Sequence, residues 1–331
     1  YKENIIICYT RNSSSLAQCY EKKCEIYLID RYDLLLRKVV PYIKGANVIL
    51  ADNYFAFLAP ISLKNNVKVV QVWHANGAIK KFGLEANYTR KNSRKDKIRY
   101  KKVYDIFTHY VVSSDKMKKI FENNYKLPIN TLNFGYPQTD YYLDSNWMSE
   151  KKKLFHLKFQ GNKKVLLYAP TYRIKKDFRI YSVLEKLVKL SEEWMVIVKL
   201  HPHDFKRYNL EIYNSSLIFD FQGLSLQEIL PSVDCLITDY SSIPFEYTLA
   251  NKIGKIIFYC FDYQEYITEL WIESYFLKWA PGIFLTTDND LIKEVNSNVN
   301  YDWHSFNKEW NQYVNGTAKK QLIKWVRDNN V

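Results

Sequence analysis

Four stretches run from β-branched or aromatic segments directly into residues that handle protons or anions. Residues 69–73 lead into His74, Ala75, Asn76 and Gly77, followed by Lys80 and Lys81. Residues 164–169 lead into Pro170, Thr171 and Arg173, and residues 195–200 into His201 and His203. Residues 235–237 lead into Thr238, Asp239, Ser241 and Ser242. An imidazole with a pKa near ~6.5 can take a proton from an attacking hydroxyl, the role that fits His74. His201 could donate to a phosphate oxygen and gain charge beside it. The guanidinium fork of Arg173 suits a diphosphate, with Lys80 or Lys81 steering the anion. Pro244 fits the first turn of a helix starting near Ser242, where free N–H groups and serine hydroxyls form an anion site. Glu246, one turn in, could accept hydrogen bonds from ribose hydroxyls. Gly77 permits close approach of a substrate or an unusual backbone angle. Taken one at a time, these residues also fit plainer roles: helix-capping serines, a surface arginine, packed histidines.

Elements must bring such residues together. The pattern predicts strands over 4–10, 25–29, 47–51, 67–74, 108–113 and 131–135. A second series covers 164–169, 195–200, 217–221, 235–238 and 255–260. Amphipathic helical segments (115–125, 181–193, 225–232) lie between them, and another closes the chain at 318–328. Strands alternating with helices predict an α/β fold of βαβ units with parallel sheets. Several strands are apolar throughout, as expected when both faces are covered. In open parallel sheets ligands bind outside the carboxyl ends of the strands, where all four motifs fall. The pattern thins over the lysine-rich stretch 144–161, which divides the chain at about 1–150 and 151–331. Two Rossmann-like, doubly wound domains facing across a cleft satisfy these observations.

Composition sets the partners. The net charge of +13 over 331 residues favours an anionic partner: nucleic acid, an anionic membrane or a phosphorylated substrate. Five cysteines (Cys8, Cys19, Cys24, Cys235, Cys260) show no metal-ligand spacing and read as free buried thiols of a reducing compartment. No signal peptide is visible, no apolar run approaches the ~20 residues that span a bilayer, and the chain starts at Tyr1, so an earlier segment can be missing.

The four motifs together resemble the CDP-glycerol glycerophosphotransferase family of teichoic acid synthesis. The matching residues are Trp73-His74-Ala75, Gly135-Tyr136-Pro137-Gln138-Thr139-Asp140, Ala169-Pro170-Thr171-Tyr172-Arg173, His201-Pro202 and Thr238-Asp239-Tyr240-Ser241-Ser242. Their order and spacing agree over about residues 47–283, with further landmarks at 259–266 and 280–284. Gln138 stands where the family often has arginine, so no phosphate role is carried onto it. The resemblance implies a GT-B architecture with the active site between the domains. It implies transfer of glycerol phosphate from CDP-glycerol to a hydroxyl on an undecaprenyl-diphosphate-linked ManNAc-GlcNAc disaccharide, releasing CMP. It also places the enzyme at the cytoplasmic face of the cell membrane. The form WHANGAIK is most like the glycerol phosphate primases. A poly(glycerol phosphate) or ribitol phosphate transferase of the same family is the alternative. In this frame His74 is the base and His201 a catalytic partner. Asn76, Gly77, Lys80, Pro170, Thr171, Arg173, Thr238, Asp239, Ser241, Ser242 and Glu246 bind substrate. No paired-carboxylate metal motif is apparent, and Mg²⁺ carried on the diphosphate stays compatible.

One stretch lies outside the motifs. Residues 88–103 hold Arg90, Lys91, Arg94, Lys95, Lys97, Arg99, Lys101 and Lys102 against one acid, Asp96. A lipid-linked acceptor requires an anionic leaflet, so these cations are expected to face the membrane, with Tyr88, Ile98 and Tyr100 at the headgroups. A basic nucleic-acid-binding protein is the rival of another class. It lacks a fold motif for that role and leaves the strand-end clusters unexplained, so no nucleic acid is expected.

Overall fold

The computed structural model describes residues 5–173, 179–270, 272, 276–299 and 301–330. Its strands fall into three parallel sheets. A two-stranded sheet pairs β1 (Ile6–Tyr9) with β2 (Glu25–Leu28). A four-stranded sheet follows chain order: β3 (Val48–Ala51), β4 (Lys68–Gln71), β5 (His109–Val111) and β6 (Thr131–Leu132). A five-stranded sheet holds β7 (Lys164–Ala169), β8 (Trp194–Val198), β9 (Cys235–Thr238), β10 (Lys255–Tyr259) and β11 (Ile283–Leu285). In it β9 and β10 are buried along their whole length and β7 after its first residue, the signature of strands covered on both faces.

The order of the five-stranded sheet is β11-β10-β9-β7-β8. From β7 the chain moves outward to β8, then returns to the other side of β7 for β9, β10 and β11. The sense of winding therefore reverses between β7 and β9. A crevice opens outside the carboxyl ends of two strands at such a switch point, and here those ends are Ala169 and Thr238.

Two strand expectations shift. Residues 217–221 form no strand; Ile218 alone bridges Ile197, with backbone bonds to Val196 and Val198. Gln222 and Gly223 just beyond adopt left-handed φ of 50° and 80°, which ends the extension. The segment 67–74 stops pairing at Gln71, because Trp73 adopts a left-handed φ of 54°. Strand β11 is short and half-exposed and was not expected.

The last helices return across the expected division at 150. Tyr313 donates its N–H to the Ser113 carbonyl (2.9 Å) and its hydroxyl to Asp115 (2.7 Å). Asp140 accepts from the Ala318 and Lys319 N–H groups (3.0 and 2.8 Å), capping the helix Ala318–Asn329. The cysteines are free, and only Cys235 and Cys260 are buried; Cys8 and Cys19 are exposed and Cys24 half-buried, which corrects the expectation for those three.

Candidate active site

Arg173 is the hub of the C-terminal cluster. Its Nε and Nη2 donate to Asp262 (2.5 and 3.1 Å), and Nη2 also to Asp239 (2.8 Å). Its Nη1 donates to the Thr171 carbonyl and hydroxyl (2.8 and 2.6 Å). Those contacts use all five N–H donors of a guanidinium. The fork expected to grip a diphosphate is thus closed on the protein. It ties the loops after β7, β9 and β10 together, and Tyr240, Phe261 and Tyr266 pack their rings around it. Asp239, 1% exposed, accepts from the Thr171 and Tyr240 N–H groups as well (2.8 and 2.6 Å). It is a strut, not an open ligand. Thr238 is fully buried, donates to the Ala169 carbonyl (2.7 Å) and meets the Ser241 hydroxyl at 2.8 Å. It fixes Ser241 from below.

Ser242 starts the helix Ile243–Ala250 with Pro244 in the first turn, as expected, and makes no side-chain cap bond. The helix N-terminus, Ser241 and Ser242 lie at the β7/β9 switch point beside Pro170 and Thr171, all half-buried. Glu246 lies on the first turn of this helix, within 3.4 Å of the Tyr142 hydroxyl. Burial pushes its carboxyl up to about 7, partly offset by that hydroxyl.

His201 is exposed after β8 and caps the helix Pro202–Arg207; its Nδ1 accepts the His203 N–H (3.3 Å). Its ring lies 4.9 Å from that of Tyr172, which joins it to the β7 loop. With Nδ1 accepting, the neutral ring carries its proton on Nε2. Arg207, which the sequence did not single out, donates to the Arg173 carbonyl (2.8 Å) and the Tyr172 hydroxyl (3.1 Å).

His74 stands on the other half, exposed, its ring stacked on Trp73 at 4.3 Å. Its Nδ1 lies 2.8 Å from the Asp52 carbonyl oxygen. A carbonyl oxygen only accepts, so Nδ1 carries the proton and Nε2 is left as a base. The rest of this loop meets the C-terminal half directly. Asn76 is fully buried and donates to Asn311 (3.1 Å), which donates in turn to the Phe245 carbonyl (2.9 Å). A Cβ at Gly77 would lie 2.4 Å from the Phe245 ring. Asn76 and Gly77 therefore join the halves, and Gly77 needs no unusual φ. Lys80 pairs its backbone with Ile272 and holds its ammonium 5.5 Å over the Tyr266 ring. Burial lowers its pKa; Asp239 opposes that and Arg173 adds to it. Lys80, Arg173, Asp239 and Asp262 together are electrically neutral. The cluster itself has no positive surplus.

Arg90, Lys91, Arg94, Lys95, Lys97, Arg99, Lys101 and Lys102 are all exposed, most on the helix Arg94–Asp105 capped by Ser93. Ile98 is exposed beside them, but the Tyr88 and Tyr100 hydroxyls bond within the protein, to Tyr54 (3.2 Å) and Asn92 (3.3 Å). Two cavities lie away from the four strand-end motifs. One of about 1130 Å³ opens at the amino edge of the five-stranded sheet beside Lys164, Asp234 and Lys255. The other, about 620 Å³, lies between Tyr141 and Lys324. Among the described residues no three His, Cys, Asp or Glu side chains converge as metal ligands, and no helix is long and apolar enough to cross a membrane.

Two α/β halves, with His74 at a strand end of one and the β7/β9 switch point in the other, give the GT-B architecture of group-transfer enzymes. Residues 21–328 match the family model described as CDP-Glycerol:Poly(glycerophosphate) glycerophosphotransferase, and the chain belongs to that family. It is 33% identical to the teichoic acid glycerol-phosphate primase of Bacillus subtilis (strain 168), covering 99% of this chain and 85% of the relative. It is 29% identical to the teichoic acid poly(ribitol-phosphate) polymerase of Bacillus spizizenii (strain ATCC 23059 / NRRL B-14472 / W23), covering 76% of this chain and 41% of that one. The solved wall teichoic acid polymerase TagF shares the fold at a TM-score of 0.77 and 18% identity, covering 98% of this chain and 89% of that one.

Proposed function

We propose that this enzyme transfers one glycerol phosphate unit from CDP-glycerol to a hydroxyl of a ManNAc-GlcNAc disaccharide on undecaprenyl diphosphate, at the cytoplasmic face of the membrane. The acceptor oxygen attacks the phosphorus bearing glycerol, the bond to the CMP oxygen breaks, and the hydroxyl proton passes to His74 Nε2. CMP leaves with the electron pair. The observation that carries this is the pair of opposite Nδ1 bonds: His74 Nδ1 faces a carbonyl oxygen, which leaves Nε2 as a base with no partner among the described residues, while His201 Nδ1 accepts an N–H, which leaves Nε2–H to donate. One imidazole thus suits a base and the other a donor to phosphate. Ser241, Ser242 and the start of the helix Ile243–Ala250 add N–H and O–H donors where charge develops. Positioning and electrostatic stabilisation dominate such phosphoryl transfers. Two glycerol-phosphate primases match this chain at 33% and 32% identity and a polymerase at 29%, which favours single addition. Incubation with CDP-glycerol and a soluble disaccharide-diphospholipid analogue tests this. One added unit is expected; a ladder of products would make the enzyme a polymerase, and no transfer would overturn the activity.

A further inference from the structure

The carboxyl edge that carries His74 carries a second feature. Strands β3 and β4 pair Ala51 with Gln71, so the loop 52–54 runs beside the His74 turn. Asp52 of that loop holds His74, and Tyr54 follows two residues on. The Tyr54 ring stands edge-on to Tyr104 at 5.9 Å, and Tyr104 stacks on Tyr125 at 4.1 Å. Aromatic contacts continue from Tyr125 through Phe82 and Trp73 to His74 itself, at 5.4, 5.0 and 4.3 Å. The result is a rigid shelf, backed by buried rings, with the imidazole at one end.

At the rim the shelf is open and polar. Tyr88, 51% exposed, meets the Tyr54 hydroxyl at 3.2 Å, and Asn92 donates to the Tyr100 hydroxyl at 3.3 Å. Asn87, next in sequence to Tyr88, donates to the Thr268 carbonyl of the C-terminal half (3.4 Å), which places this rim at the seam between the halves. Tyr100 and Tyr104 lie on the inner side of the helix whose outer side carries the exposed cations. Aromatic faces with a few convergent hydroxyl and amide groups are the composition of a binding surface for a polar ring. Each tyrosine hydroxyl can both donate and accept, which matches sugar hydroxyls.

We propose that Tyr54 and Tyr88, backed by Tyr104 and flanked by Asn92 and Tyr100, form the subsite that holds the acceptor sugar whose hydroxyl is attacked beside His74. This rests on the glycerol phosphate transfer proposed above. A sugar held on this shelf has its diphospholipid leading away toward the basic helix, so one surface serves both ends of the acceptor.

The test uses the full chain, CDP-glycerol and a soluble disaccharide diphosphate with a short alkyl tail, without vesicles. Tyr54→Phe and Tyr88→Phe keep the rings and remove one hydroxyl each. Each is expected to raise the acceptor KM roughly fivefold, the worth of a neutral hydrogen bond, with the donor KM within about twofold. Tyr88→Ala, at an exposed position, removes the face as well and should raise it further. Unchanged acceptor KM in all three variants overturns the subsite. So does a parallel rise of both KM values with a lowered melting temperature, which marks a structural role. If Tyr88→Ala instead weakens binding to phosphatidylglycerol vesicles while acceptor KM holds, the ring serves the membrane and the subsite is overturned. An inert wild-type enzyme overturns the transfer activity first, and the subsite falls with it.

Discussion

The Asp52 carbonyl oxygen sets the proton on His74, and nothing in the described structure occupies the opposite nitrogen. His74→Ala removes that base from an exposed position, together with its stack on Trp73 and its bond to the Asp52 carbonyl. The expected loss in kcat is about 10²–10⁴, with an unchanged melting temperature, read by steady-state turnover and thermal unfolding. Retention of near-normal kcat would strip His74 of the role. Glu246 makes a second prediction through pH. Its carboxyl is raised to about 7 in the folded protein, so the fold favours the protonated form. That contribution to stability is complete below the ordinary carboxylate pKa and is lost as pH rises through about 7. A carboxylate accepts from ribose hydroxyls better than a carboxylic acid, so donor KM should fall as pH rises through the same range. Glu246→Gln should flatten that dependence; a wild-type donor KM that is flat from pH 6 to 8 would separate Glu246 from the donor.

Among the elements, the joint between the His74 loop and the helix Ile243–Ala250 leaves no room for a side chain at Gly77. A methyl at position 77 overlaps the buried Phe245 ring, which is 0% exposed and cannot swing into solvent. Gly77→Ala should destabilise by about 1–3 kcal/mol, the range for overpacking, and lower the melting temperature. Phe245→Leu in the same chain should restore part of the loss; additive losses in the double variant would show that the clash is not the cause. This joint also marks what the sequence concealed. Strand identity and the polar strand ends were legible, because β-branched runs covered on both faces read as parallel strands whatever surrounds them. The partners of the polar residues were not. Arg173 finds Asp262 across 89 positions, and Asn76 finds Asn311 across 235. An arginine at a strand end looks the same whether two carboxylates close its fork or a diphosphate does. Local pattern placed Arg173, Asp239, Asn76 and Gly77 at strand ends and could not show the distant side chains they meet there.

Over the whole molecule, the charge of +13 is unevenly spent. The Arg173 cluster is neutral within itself, whereas residues 90–102 expose eight cations against the single acid Asp96, with Asp105 at the far end of the helix. Attraction of such a face to an anionic leaflet is screened by salt, over a Debye length of about 8 Å at physiological ionic strength. Replacing Arg94, Lys95, Lys101 and Lys102 by Gln should therefore lower partition onto phosphatidylglycerol vesicles by roughly fivefold per charge, with a weaker salt dependence. Turnover of an acceptor embedded in those vesicles should fall in step, and turnover of the soluble analogue should fall much less, since the helix keeps its Ser93 cap and its buried Val103 and Tyr104. Equal losses on both acceptors would assign these cations to the reaction itself, and unchanged partition would remove the membrane role from them.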